Sequence, residues 1–512
     1  MERDGKNKSL WQMEPSPYQP LNSGGWDRDK IYDVLIVGGG VTGLTTGVLL
    51  QRAGYKCVLA EAHTIGFGTS LGTTSHLNTL LDTTYADIEN DFGKDAAQLV
   101  AKGSANAIDL IEELSAKAAI DCGFSRQKAW LVAATSEEEQ QLEEVYEAFV
   151  RTGLTAYADE NCPVRIPAIK SYCFEGQGQV NAGSYIWALA EMFEELGGII
   201  LEHCLVDEIL QEGGIQVAKI IEGDIKTVRV VYATHIPPGV NQYSLLCAPY
   251  RSYAMAFTLA DGAYPEGLVY DLKDPYNYFR SQTIKDQQYV IAGGFDHKTG
   301  HCENTEFMFK ELEALVRRYF NIEEISYKWS SQYYEPVDGL PYMGRYPGRD
   351  ETFLSTGYSG NGYTLGTLSA IITSDLIIKG HSEYEEIFSP SRLKPLASAK
   401  NFVTENADVL KEWFKGFLKG GKLRILADLA PDEARIVQWE GNSVAFYKSE
   451  AGKIYAVDAV CPHMGCKVDW NNTEKTWDCP CHGSRFSYDG SLLTGPALSG
   501  LKGYDIDNYA AD

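Results

Sequence analysis

Apolar and polar positions follow three textures along this chain. From Tyr32 the run YDVLIVGGGVTGLTTGVLLQRAGYKCVLAEA (32–62) reads as an apolar strand, a glycine turn, a small-residue helix and a second apolar strand ending at Glu61. Between about 70 and 330, apolar residues spaced three and four apart predict helices over 105–120, 136–153 and 184–198. Interleaved runs such as IILEHCLVDEIL (199–210), VRVVYATH (228–235) and YVIAGGF (289–295) predict strands, and hence a second, mixed sheet inserted into the first unit. A helix is also predicted over 401–419, where Val409, Leu410, Trp413, Phe414 and Phe417 share a face. That stripe suits the chain's own core, the docking of one domain on another, or a partner. From Leu423 onward, short alternating strands between Gly and Asp turns predict a small all-β module.

With 512 residues the chain exceeds one ordinary core, so two or three domains are expected. Lys plus Arg number 45 against 70 Asp plus Glu, a formal charge of −25 that repels phosphate backbones and anionic headgroups; nucleic acid is not an expected partner. Residues 1–30 mix charges, Pro, Ser and Gly without an apolar core, and read as a flexible tail rather than a signal peptide or membrane span. No later stretch has the run of about 18 apolar residues that spanning requires, so a soluble, cytoplasmic protein without a membrane span is expected. Seven cysteines (57, 122, 162, 173, 204, 247 and 302) are scattered singly, as small buried residues are in a reducing compartment. The other four crowd with two histidines into 461–482.

The first unit carries G-x-G-x-x-G between a strand and a helix, the opening of a Rossmann-like dinucleotide-binding fold. Gly38 permits the tight turn, Gly40 a close approach of pyrophosphate, and Gly43 the packing of helix on sheet; Glu61 can accept from ribose hydroxyls. NAD and FAD both suit this motif alone. Three segments together resemble the FAD-dependent D-amino-acid oxidase, glycine oxidase and sarcosine oxidase superfamily. They are the first unit with the loop GFGTSLGTTSH (66–76), YEPVDGLPYMGR (334–345) and LSTGYSGNGYTLGTLSAIITSDLI (354–377). The resemblance covers 31–395 and implies FAD, with Thr69, Ser70, Val206, Asp338, Gly357, Gly360, Gly362 and Thr364 as further cofactor-binding positions. It also implies hydride transfer from a carbon bearing an amine. Glycine-oxidase-like sequences place a carboxylate-gripping arginine midway between a tryptophan and the D-G-L-P aspartate. Here Trp329 and Asp338 keep that spacing and Tyr333 takes the arginine's place. A tyrosine cannot form the bidentate charged pair. Arg280, sharing a strand face with Tyr278, either supplies the charge instead or is a surface arginine, and His76 is a further catalytic candidate.

The C-terminal ligands fit C-x-H-x15-C-x2-H: Cys461, His463, Cys479 and His482. Such a set can hold a structural zinc. The spacing, and residues 421–512 throughout, resemble the Rieske [2Fe–2S] domain, in which one iron takes two cysteines and the other two histidines. That resemblance implies a disulfide between Cys466 and Cys481, the alternative being two buried thiols. It further implies a proline loop over the cluster at TGPA (494–497), a hydrogen bond from Ser484 to a cluster sulfur, and the absence of a second such bond at Phe486. It places the outer nitrogens of His463 and His482 near the surface, where electrons leave. The expected architecture is thus an α/β Rossmann-like FAD domain with an inserted mixed-sheet substrate domain (31–395), a linker helix (396–420) and a small all-β Rieske domain (421–512). The expected activity is oxidation of a small amine-type substrate, with electrons leaving singly to an external acceptor. The alternative is an electron-transfer protein working between redox carriers.

Overall fold

A computed structural model describes residues 3–13, 16, 18–21, 25–302, 304–392, 429–439 and 441–505. The predicted helix over 401–419 and the linker 396–420 lie outside these residues.

The strand Ile31–Val37 is central in an eight-stranded sheet, flanked in parallel by Cys57–Ala60 and Gly223–Tyr232. Val34, Leu35 and Ile36 are fully buried, as the unbroken apolar run requires of a strand covered on both faces. Helix Val41–Arg52 packs on this sheet and against the long helix Gly362–Lys379. Gly366 permits the crossing, since a Cβ there would lie 2.7 Å from Thr42 Oγ1.

The inserted sheet has nine strands and runs from Ile322–Pro336 through Cys247–Leu259, Gln287–Lys298 and Tyr278–Ile284 to an edge at His76–Leu77. Helices Lys94–Lys117, Ser136–Arg151 and Ala182–Glu195 form where the periodicity predicts them. IILEHCLVDEIL is not one strand: it splits into Ile199–Leu201 and Glu208–Glu212 around His203, whose φ of +54° turns the chain.

The C-terminal module has a three-stranded sheet (Glu433–Trp439, Asn442–Lys448, Ile454–Asp458) and a four-stranded one beginning at Asp469–Asn471, all antiparallel. Trp477 and Phe486 fill its core. No helix among the described residues is long and apolar enough to cross a membrane.

The expectation of a free N-terminal tail needs correction. Arg3, Asp4, Ser9 and Leu10 are buried. Asp4 pairs with Arg485 of the C-terminal module at 2.7 Å, and Arg3 lies 3.5 Å from Glu474. Glu474 in turn accepts from the backbone N–H and hydroxyl of Ser330 in the inserted sheet. Charge sequestered between two domains orders this segment together with Leu10, Trp11 and Tyr18, which pack into the main core, and a sparse apolar content does not announce either.

Candidate active site and cluster loops

A cleft of about 360 Å³ runs from the glycine turn, past the inserted sheet, to the C-terminal module. At the turn, Gly38 has φ +112°, and a Cβ at Gly43 would lie 2.0 Å from Gly38 O. The backbone therefore lies bare toward the cleft, a cradle suited to a pyrophosphate at a helix N-terminus. Ser70 Oγ accepts from Val41 N–H at 3.1 Å, satisfying one of the free donors of that terminus. Glu61 accepts from Gly39 and His63 N–H, and each oxygen keeps a lone pair for a ribose hydroxyl. Burial raises its pKa, with those two hydrogen bonds opposing. Thr69, Val206, Gly40, Gly360 and Gly362 also line the cleft.

Four predicted cofactor positions do not line it: Gly43, which lies under the turn, and three others. Asp338 forms a bidentate pair with Arg392 at 2.7 and 2.8 Å. Gly357 (φ +80°) turns the chain against Pro336, and Thr364 accepts from Asn78 N–H at 3.0 Å. They shape the cleft from behind.

At the substrate end, His76 and Tyr333 line the cleft and Arg280 does not. Arg280 is fully buried, neither a surface residue nor a free anion receptor. Its guanidinium donates to Thr74 O, Gln282 Oε1 and Val180 O and stacks 5.5 Å from the Trp11 ring. Burial and the Arg280 charge hold the His76 pKa well below its ordinary value, keeping the imidazole neutral. Tyr333 donates to Asp296 Oδ2 at 2.8 Å. Asp296 is the residue that sequence reasoning missed. Its signal is the Gly293–Gly294 pair just before it, since glycines inside a strand mark bulges and close approaches. Burial pushes its carboxyl up to about 7, with the Ser252 and Tyr333 hydroxyls opposing and Asp82 adding to the rise.

The cluster residues come together on two loops. Rings of His463 and His482 lie 4.9 Å apart, and Cys479 Sγ is within 4.8 Å of the sulfurs of the Cys466–Cys481 disulfide. A hydrogen bond with Cys479 holds the Cys461 thiol below its ordinary pKa, and Ser484 also bonds it. Nδ1 of His463 and both ring nitrogens of His482 are buried without hydrogen-bond partners. Burial lowers both histidine pKa values, that of His482 to about 4. Two thiols and two neutral imidazoles with unspent lone pairs are the donor set of a half-nitrogen iron–sulfur centre.

The histidine edge, expected near the surface, instead faces the flavin half. His463 Nε2 donates to Gly239 O at 3.2 Å, which fixes the tautomer and leaves the Nδ1 lone pair unspent. Tyr334 O–H donates to His482 O at 3.2 Å, and Gln332 Nε2 to Gly483 O at 2.8 Å. Gly239 N–H donates to Pro496 O of the proline loop. Leu493, Gly495 and Ala497 of that loop line the same cleft as Tyr334 and the glycine turn.

The family model described as FAD dependent oxidoreductase matches residues 33–376, and that of the Rieske [2Fe-2S] domain matches 422–505. YhfW of Bacillus subtilis (strain 168), named as a Rieske 2Fe-2S iron-sulfur protein, is 31% identical over 94% of both chains. Gamma-glutamylputrescine oxidoreductase of Escherichia coli (strain K12) is 24% identical over 74% of this chain and 91% of its own. The solved glycine oxidase from Geobacillus kaustophilus superposes with a TM-score of 0.61 at 22% identity, over 71% of this chain and 99% of that one, a likeness of fold. The chain belongs to the FAD dependent oxidoreductase family and carries a C-terminal Rieske domain. It is an FAD-dependent oxidoreductase, and its cofactors are FAD and a [2Fe–2S] cluster.

Proposed function

We propose that this protein is a dehydrogenase that oxidises a small amine-type substrate and delivers the electrons one at a time through its cluster to an external acceptor. The observation that carries this reading is the seating of the cluster loops on the flavin cleft, with Tyr334 lining the cleft while it holds His482. When bound, FAD supplies a two-electron hydride acceptor, and the cluster, at a potential raised by its histidines, a one-electron relay. The chain's part is positional. Cys461, Cys479, His463 and His482 hold the cluster; Gly38, Gly40, Gly43 and Glu61 hold the nucleotide. The proline loop closes the cleft against water. Covalent fusion keeps the two redox sites at high effective concentration. With the histidine edge turned inward, His463 and His482 would hold the cluster on the side that faces the flavin half.

The test is anaerobic mixing of the holoprotein with a panel of primary amines, secondary amines and amino acids. A substrate should bleach the flavin absorbance and then raise the EPR signal of a reduced Rieske centre. Bleaching with no EPR signal would refute the relay; no bleaching by any amine would refute the substrate class.

A further inference from the structure

Asp296 is a half-buried acid with one carboxylate oxygen shut away from solvent, used by neither cofactor site, and the fold aims it deliberately. Strands Cys247–Leu259 and Gln287–Lys298 pair Tyr253 with Gly294 and Arg251 with His297, so Ser252 alone opposes both Phe295 and Asp296. This is a bulge, with Phe295 at φ +59°, a conformation a large side chain adopts only under constraint. Bulges re-aim side chains, and here Asp296 joins the lining of the cleft. Its Oδ2 is held by Tyr333, while its Oδ1 is buried without a hydrogen-bond partner.

The surroundings favour a cation. Among the described residues, no lysine or arginine lines the cleft. Around Asp296 stand Tyr276 and Tyr278, with ring centroids 5.8 Å apart, and the ring of neutral His76 lies 5.2 Å from Tyr278. A substrate carboxylate would meet an acid and no cation. An ammonium would meet a carboxylate with a free oxygen and the negative faces of tyrosine rings.

Resting on the amine-oxidation reading above, we propose that Asp296 receives the ammonium of an amine substrate that bears no α-carboxylate and takes one of its protons. The step balances as R–CH2–NH3+ plus carboxylate giving R–CH2–NH2 plus carboxylic acid. An N–H bond breaks, an O–H bond forms and no oxidation state changes. The free amine is then the species whose C–H bond can be oxidised. Tyr333 is a positioning residue that holds Oδ2 so that Oδ1 faces the substrate. The groups facing Asp296 are the Tyr333 and Ser252 hydroxyls, Asp82, Tyr276, Tyr278 and His76.

Titration calorimetry on the oxidised holoprotein tests this with tert-butylammonium, which has no hydrogen on the carbon bearing nitrogen and so binds without reacting. Pivalate, of the same shape and opposite charge, is the control. The cation should bind at least about tenfold more tightly than pivalate and weaken about tenfold between pH 8 and pH 6 as the carboxylate is protonated. Asp296→Asn should weaken it at least about tenfold and abolish the pH dependence. Tighter binding of pivalate, or an Asn variant that binds the cation as wild type does, overturns the proposal. Should Asp296→Asn fail to retain flavin absorbance, Tyr333→Phe decides: a several-fold weaker cation with pivalate unchanged supports the assignment, and equal affinity overturns it. The two readings separate cleanly. If no amine bleaches the flavin yet cation binding depends on Asp296, the ammonium site stands and the oxidation reading falls. If amines bleach the Asp296→Asn flavin as fast as wild type, the oxidation reading stands and the ammonium site falls.

Discussion

The cluster loops and the substrate wall are separated by one step along a strand. Tyr333 turns its hydroxyl to Asp296, and Tyr334 turns its own to His482, because successive side chains of a strand point to opposite faces. The two sites are nonetheless assembled in opposite ways. All four proposed cluster ligands lie within residues 461–482, on loops closed by short backbone bonds such as Gly465 N–H to Cys461 O and Gly483 N–H to Cys479 O. The substrate wall draws His76, Tyr276, Asp296 and Tyr333 from four distant stretches, and only the sheet brings them together. A site built locally tolerates change in its neighbour, whereas one built from long-range pairing answers to the whole fold.

The strongest way to break this comparison is to destroy the cluster and ask whether the flavin half notices. Cys461→Ser removes a ligand, and turnover with a one-electron acceptor should fall by more than ~100-fold, since even outer-shell changes cost metal sites ~10–100-fold. The rate of flavin bleaching by substrate, followed by stopped-flow absorbance, should stay within about twofold, because no cluster ligand lines the substrate wall. Equal loss of both rates would mean that the two sites form one cooperative unit.

The next largest effect tests the charged seam that joins the halves. Asp4 lies between Arg3 at 2.8 Å and Arg485 at 2.7 Å, all buried. Burial opposes ionisation of Asp4, yet Arg3, Arg485 and Arg251 outweigh it and hold the carboxyl below its ordinary value; Asp478 behaves alike under Arg485 and Arg251. Asp4→Ala removes one carboxylate from two buried arginines, each of which keeps another (Glu474 for Arg3, Asp478 for Arg485), and should cost about 1–3 kcal/mol, read as a lower urea midpoint for loss of the cluster's visible circular dichroism. The sign with pH follows from the depressed pKa values. The contribution is complete above the ordinary carboxylate range and is lost as pH falls through the folded values, so wild type should lose this advantage over Asp4→Ala only in strong acid. A gap that closes near neutrality would assign the stability to other groups.

The same contrast explains what was legible in the sequence. Gly38, Gly43 and the cluster ligands are readable because their roles are set by neighbours a few residues away: a turn, a helix start, a pair of loops. Asp296 is hidden because the bulge at Phe295 breaks the alternation from which its direction would be read. Arg280 reads as a candidate receptor until Thr74 and Val180, from two distant places, and Gln282, two residues along its own strand, occupy its donors. The N-terminal residues look like a tail since Arg3 and Asp4 find their partners more than 300 residues away, at Ser330, Glu474 and Arg485. Hydropathy and spacing report local order, and contacts of this range leave no trace in either.

The smallest expected effect gives the sharpest form of the comparison. Tyr334 O–H donates to His482 O and accepts from Gln332 Nε2, both at 3.2 Å, while Gln332 keeps its own bond to Gly483 O. Tyr334→Phe therefore removes one of several ties between the halves, a loss of about 0.5–1.5 kcal/mol. If that tie favours the seated cluster, reduction of the cluster after flavin bleaching should slow by about two- to tenfold, and amine affinity should not move. Tyr333→Phe, one residue away, should do the reverse, weakening tert-butylammonium and leaving the inter-cofactor step alone. Stopped-flow absorbance and calorimetry on both variants give a two-by-two result. Off-diagonal effects of equal size would show that the strand transmits both changes as one body, and the distinction between a locally built and a globally built site would then not hold in this molecule.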